Sequence, residues 1–214
     1  MHSFIDFLKY RLKQNLPGQD AQLKMAPEPI SGEPLRDIDA PPHATASSVL
    51  ILLFPDKKNE LELVLTLRSK NIGHGGQISF PGGRADEGES PADTALRETY
   101  EEIGVPPEGI IIVGTLSNLY VSRSNNFVTP VVGYMDAFPE LKLNPAEVEE
   151  AFTIKLESLV AKKNLMVENW KLMERTFRVP YWDVHRVPLW GATAMILSEF
   201  LEIYREFKSQ NSNR

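Results

Sequence analysis

One 23-residue stretch, Gly83 to Val105, constrains this chain more than any other, because both ends of a helix and an acidic face are written into it. Ser90 stands where a cap is needed, and Pro91 suits a first turn, where its missing N–H would have no partner anyway. Asp93 follows the cap by three residues, as in a capping box, and Gly104 with Pro106 and Pro107 ends the helix. Within it Glu98, Glu101 and Glu102 stand at i, i+3 and i+4, so three carboxylates project from one face inside a single turn. Like charges at that spacing cost a few tenths of a kcal/mol per pair on a surface helix, and more when partly buried. Two things can offset the repulsion: Arg97, whose i+4 neighbour is Glu101, or a divalent cation. Hard oxygen donors of this kind suit Mg²⁺ or Mn²⁺. Three Glu alone would read as a solvated acidic face. Their neighbours favour the ion: Gly82 and Gly83 let backbone approach a ligand closely, and Glu89, just outside the helix start, can reach Arg97.

Around this helix the chain reads as a mixed α/β domain with much antiparallel pairing. Ser48 to Phe54 and Leu61 to Arg68 are apolar, β-rich runs joined by the turn cluster Pro55 to Asn59, which predicts a hairpin. Glycines at 73, 75 and 76 open a loop, and Gln77 to Phe80 is a short strand broken by Pro81-Gly82-Gly83. Further strands are expected over Ile110 to Leu119, Phe127 to Tyr134, Ala151 to Leu156, Arg175 to Tyr181 and Val187 to Trp190. A last helix, Ala192 to Phe207, carries Met195, Ile196, Phe200, Ile203, Tyr204 and Phe207 at core-facing spacing. Ahead of the main domain (44–208), residues 1–43 read as a short amphipathic helix capped by Ser3, then an extended Pro- and Gly-containing connector. That helix can pack on its own domain or support a homodimer. Residues 209–214 form a polar tail.

Composition narrows the function. The 214 residues contain no Cys, so disulfides, thiolate metal sites and cysteine nucleophiles are excluded, in keeping with a cytoplasmic protein. No run approaches the roughly 18 apolar residues of a spanning helix, and no Lys/Arg-rich run suggests binding to nucleic acid or to a membrane surface. The net charge of −6 is not diffuse. Gly83 to Val105 holds seven acidic against two basic residues, a local balance of −5, which leaves −1 for the rest of the chain.

Gly83, Glu89, Arg97, Glu98, Glu101, Glu102, Gly104 and Val105 resemble the Nudix box, G-x5-E-x7-R-E-U-x-E-E-x-G-U with U aliphatic, at every spacing. The departure is Thr99 at a U position, which is a packing position. Upstream, Val64 to Ser69, Gly76 and Phe80-Pro81-Gly82-Gly83 resemble the signature L-L-T-x-R-(S/A)-x3-R-x3-G-x3-F-P-G-G of the coenzyme A pyrophosphatase branch. Its second Arg is absent: the interval is one residue short, and Gly73 or His74 falls where Arg is expected. Val128 to Gly133, Glu147-Val148 and Trp190 to Thr193 are also similar to that branch.

The resemblance implies a Nudix-type α/β/α sandwich with a mixed, largely antiparallel sheet, and a Mg²⁺- or Mn²⁺-dependent diphosphatase acting on a small nucleotide diphosphate derivative. By position, Glu98 and Glu102 would be the primary metal ligands, with Glu101 a further or water-bridged ligand and the Gly83 carbonyl a backbone ligand. Arg97 and Glu89 would hold those carboxylates in place. Glu147 is the first candidate for general base and Glu150 the second, each also readable as a surface Glu. Arg68 is a candidate for the substrate's phosphates or for an ordinary ion pair at a strand end. Gly82 and His74 complete the candidate substrate contacts, and Arg123 to Asn126 form a polar loop beside the site or in solvent. Coenzyme A or its thioesters lead as substrate; ADP-ribose, another nucleoside diphosphate derivative or a dinucleotide is the alternative, followed by a module that binds without catalysing.

Overall fold

The computed structural model describes residues 2–32, 39–70, 73, 75–138, 140–172 and 174–212. In chain order the elements are α1 (Ser3–Arg11), α2 (Gly18–Leu23), β1 (Glu28–Pro29), β2 (Thr45–Pro55), β3 (Leu61–Arg68), β4 (Ile78–Ser79), β5 (Gly82–Arg84), α3 (Pro91–Ile103), β6 (Ile111–Thr115), β7 (Leu119–Val121) and β8 (Asn126–Tyr134). They continue with β9 (Val148–Lys155), α4 (Leu156–Val160), β10 (Leu165–Leu172), β11 (Arg175–Trp182) and α5 (Gly191–Ser212).

The unbroken apolar run of β2 is explained by burial on both faces, which removes any reason for its residues to alternate. Leu50, Leu52 and Phe54 pack with Ala95 and Ile103 of α3. Ile51 and Leu53 belong to a second cluster, with Leu197, Phe200 and Leu201 of α5 and Phe4 and Leu8 of α1. Helices thus cover both sides of the sheet, the α/β/α sandwich expected. Thr45 to Leu53 pair in parallel with Asn126 to Tyr134 of β8. The other edge of β2 is divided: Ser47 to Val49 pair with β5, and Leu53 to Pro55 pair with β3. Between them the Leu50 N–H donates to the Pro81 carbonyl at 2.8 Å. β9 and β4 join β3, and β6 and β7 join β8, all antiparallel. Among the described strands β2–β8 is the parallel pair, so the sheet is mixed and largely antiparallel. A smaller sheet has the order β1-β11-β10.

Several local expectations are revised. The cap of α1 is His2, whose Nδ1 accepts from the Phe4 N–H at 3.1 Å, rather than Ser3, the first helical residue. α1 lies on its own chain, with the Phe4 ring 4.9 Å from Tyr204 and 5.1 Å from Phe207. The connector contains α2, packed on α5, and β1, paired with β11. Glu199 of α5, itself buried, accepts from the Gly18 N–H, the Ser117 N–H and Gln22 Nε2, which ties this segment to the core. The run over 110–119 divides into β6 and β7. Residues 187–190 contribute a single bridge, Trp182 to Leu189, in place of a strand. α5 continues into the polar segment as far as Ser212. Strand β10 was not anticipated: most of its residues are exposed, so it has no hydrophobic period. No helix among the described residues is long and apolar enough to cross a membrane.

Candidate active site

α3 begins as its residues dictate. Ser90 Oγ accepts from the Asp93 N–H, and the Asp93 carboxylate accepts in return from the Ser90 N–H. Gly104 ends the helix at φ 72°, the left-handed conformation that favours glycine. Thr99, the departure from the aliphatic pattern, is fully buried, and its hydroxyl donates to the Ala95 carbonyl at 2.6 Å, so the polar atom is satisfied.

The two glycines before the helix are required by contact. A Cβ on Gly83 would collide with the Glu98 carboxylate, and one on Gly82 (φ 148°) with the Ser48 carbonyl on β2. The corner therefore closes down on α3, with Glu98 against the backbone of Gly83. The Gly82 N–H donates to Glu102 Oε2 at 3.2 Å.

Arg97 organises the acidic face. Its Nε donates to Glu89 Oε1 at 2.7 Å and its Nη2 to Glu89 Oε2 at 3.0 Å, a bidentate pair, while Nη2 also reaches the Arg84 carbonyl at 2.9 Å. Nη1 donates to Glu98 Oε1 at 2.9 Å and Glu101 Oε2 at 3.1 Å. Glu89 accepts further from the Asp86 N–H and the Thr94 hydroxyl. With the Arg97 guanidinium first and these donors behind it, the Glu89 carboxyl is held down at about 2.

Glu98 and Glu102 shift the opposite way. Burial pushes Glu98, 15% exposed, above the usual range despite Arg97. Burial raises Glu102, 2% exposed, to about 7, opposed by Arg68 and the Gly82 N–H and reinforced by the charges of Glu147 and Glu98. Glu101 is 51% exposed.

Arg68 lies on the α3 side of the sheet by the alternation of β3, four residues on from Val64 of the α3-side cluster, and the partner strand is irregular opposite it. Along β3, Leu67 faces Glu150 and Arg68 faces Val148, so Glu149 is an extra residue on β9 and the register shifts there. The bulge changes the phase of β9: Ile154 packs in the α5-side cluster, whereas Val148, of the same parity, packs in the α3-side cluster. Arg68 Nη1 lies 3.6 Å from Glu102 Oε1, and its Nε donates to the Gly73 carbonyl at 3.3 Å. Next to it the Ser69 N–H donates to the Glu147 carbonyl at 2.8 Å, and Asn144 Nδ2 donates to Glu147 Oε1 at 3.1 Å. Glu147 is thereby held close enough to both Glu98 and Glu102 to raise them.

A model of the NUDIX domain matches residues 44–176, more than half of the chain. The chain belongs to the Nudix hydrolase family. It is 32% identical over 194 residues to Nudix hydrolase 3 of Caenorhabditis elegans, covering 82% of this chain and 79% of that protein. It is 37% identical over 139 residues to an uncharacterized Nudix hydrolase, NudL, of Pectobacterium atrosepticum, covering 64% and 72% of the two chains. Among solved structures, a Nudix hydrolase of M. smegmatis, RenU, shares the fold with a TM-score of 0.55 at 18% identity, over 78% of this chain and 87% of that one.

Hydrolases of this family generally use divalent metals such as Mg²⁺ or Mn²⁺, and the donors here are of the right kind. Glu102 is a buried carboxylate with one backbone N–H and one long ion pair, too little to compensate its charge fully, which a cation would supply. Among the described residues no three His, Cys, Asp or Glu side chains already converge as a cage. Arg97 engages Glu98 and Glu101, and Glu102 turns to Gly82. Mg²⁺ needs only one or two carboxylates and keeps several waters, so an open donor set suits it.

In this Nudix hydrolase the structure brings together Gly82, Gly83, Glu89, Arg97, Glu98, Glu101, Glu102, Arg68 and Glu147. It sends Glu150 elsewhere, to an ion pair with Arg186 and a contact with His185. His74 lies outside the described residues. The 123–126 loop bonds within itself and to the His43 carbonyl. Sequence reasoning missed Thr94, the Arg84 carbonyl and the anchors of Glu147. A backbone carbonyl carries no sequence signature; Thr94, three residues ahead of Arg97 on the helix, could have been found from spacing.

Proposed function

We propose that this Nudix hydrolase cleaves the diphosphate of coenzyme A or its thioesters, giving 3′,5′-ADP and 4′-phosphopantetheine or its acyl derivative. The observation that carries the chemistry is the intact box folded so that buried Glu102 and half-buried Glu98 meet the Gly82-Gly83 corner. The substrate is supported by the run Val64 to Ser69, Gly76 and Phe80 to Gly83. Glu98 and Glu102 would hold Mg²⁺ or Mn²⁺, with Glu101 a further ligand and the Gly83 carbonyl a backbone ligand. When bound, the cation neutralises the crowded oxyanions of the diphosphate and makes phosphorus easier to attack. Arg97, anchored by Glu89, fixes the carboxylates so that no reorganisation is needed during the reaction. Glu147 takes the proton of the attacking water, and Arg68 with the Gly82 corner binds the substrate's phosphates.

The absent second Arg of the coenzyme A signature favours, as a second reading, ADP-ribose or another nucleoside diphosphate derivative. Incubation of the purified protein with Mg²⁺ or Mn²⁺ and coenzyme A, acetyl-coenzyme A, ADP-ribose, NADH and diadenosine polyphosphates separates the two. Release of 3′,5′-ADP from coenzyme A as the fastest reaction supports the first. Rapid turnover of another substrate without it overturns the first, and silence on the whole panel points to a binding module.

A further inference from the structure

Two arginines meet the acidic face, and they are held very differently. Arg97 makes five hydrogen bonds of 2.7–3.1 Å to three carboxylates and a carbonyl. Arg68 faces Glu102 across 3.6 Å, beyond hydrogen-bond length, and its other side-chain contact among the described residues, to the Gly73 carbonyl, is a long 3.3 Å. Its side chain is 24% exposed, so the guanidinium has a path to water that the buried Glu102 carboxylate lacks. The backbone under it is firm: the Arg68 N–H donates to the Gln77 carbonyl, the Arg68 carbonyl accepts from the Gly76 N–H, and the bulge sets its place beside Val148. A fixed base with a loosely engaged head is a poor structural ion pair and a good exchangeable one.

We infer that Arg68 is the resting counter-charge of Glu102, partly offsetting this carboxylate while no divalent cation is bound and giving it up when one arrives. The inference rests on the metal role of Glu102 proposed above. Arg97 cannot serve in this way, since removing it would release Glu89, Glu98 and Glu101 together. Arg68 thus competes with the metal, and its release frees a guanidinium at the strand end for the phosphates of the substrate. Cation binding and phosphate binding are thereby coupled through one side chain.

The opposite role, Arg68 holding Glu102 in the ligating position, predicts the opposite sign, so metal affinity discriminates the two. Mn²⁺ binding is measured by titration calorimetry and by the loss of free-Mn²⁺ electron paramagnetic resonance signal, without substrate, for the wild type, Arg68→Met, Arg68→Lys and Glu102→Gln. Removing the positive charge that competes with the divalent ion for Glu102 tightens binding on the order of tenfold even when the repulsion is screened as in water. The expected result is that tightening in Arg68→Met, near wild-type affinity in Arg68→Lys, which keeps the charge, and a large loss in Glu102→Gln. Unchanged or weaker Mn²⁺ binding in a folded Arg68→Met, while Glu102→Gln still loses it, overturns the counter-charge role and leaves the metal site standing. Mn²⁺ binding that is absent from the wild type or indifferent to Glu102→Gln overturns the metal site and this inference together.

Discussion

Replacing Glu102 by Gln should make the metal-free protein more stable while removing its activity, and the size of the gain follows from burial. The carboxyl is 2% exposed, and its pKa rises from an ordinary 4.5 to about 7 because desolvation outweighs Arg68 and the Gly82 N–H. Such a group holds its proton more tightly folded than unfolded. The destabilisation is therefore absent below about 4.5, grows as pH rises, and is complete above about 7. A shift of that size corresponds to roughly 3 kcal/mol, at about 1.4 kcal/mol per pH unit. The Gln oxygen can still accept from Gly82, and the attraction of Arg68 is already contained in the net shift, so the gain is about 3 kcal/mol. Urea unfolding in EDTA at pH 8 should show the variant more stable by that amount, and the difference should shrink to less than about 1 kcal/mol at pH 5. Adding Mg²⁺ at pH 8 should stabilise the wild type and not the variant, whose turnover falls by orders of magnitude. A variant no more stable than the wild type at pH 8 without metal would refute the claim that Glu102 is an under-compensated buried charge.

Glu89 runs the other way: its carboxyl is held at about 2, so its contribution is full above about 4.5 and disappears as pH falls toward 2. Glu89→Gln should flatten acid unfolding across that window, as followed by circular dichroism; an unchanged profile would mean that the Arg97 fork contributes nothing to folding. Gly83→Ala drives a Cβ into the Glu98 carboxylate, and a displacement of about 1 Å there should lower kcat on the order of a hundredfold with a smaller effect on Tm. Normal turnover would argue that Glu98 need not sit against the corner. Phe4→Ala removes a fully buried ring packed on Tyr204 and Phe207, at a cost of about 3–5 kcal/mol by chemical denaturation. A cost near zero would show that α1 is peripheral.

What could be read from the residues alone is what depends on close neighbours. The caps of α3, the three carboxylates on one face, the Arg97–Glu89 pairing across eight residues and the tolerance of Thr99 all lie within 23 residues, where helical geometry converts spacing directly into position. The apolar runs of β2 and β3 were legible for a similar reason. Their pairing as a hairpin was legible too, from the turn cluster between them, but their other partners were not. That β2 divides one edge between β3 and β5, that α1 packs on a helix some 190 residues away, and that β10 forms at all with its side chains exposed are outcomes of packing over the whole chain. The same holds at the site. The acidic helix is local, but the bulge opposite Leu67 and Arg68 and the Ser69 N–H that anchors Glu147 depend on strands some 80 residues apart. Neither has a sequence period, because a bulge is one unpaired residue and a backbone hydrogen bond is indifferent to the side chains above it. The chain's own residues therefore determined a capped acidic helix and, by resemblance, marked Arg68 and Glu147 as candidates beside it, while tertiary pairing decided that those two side chains stand over it.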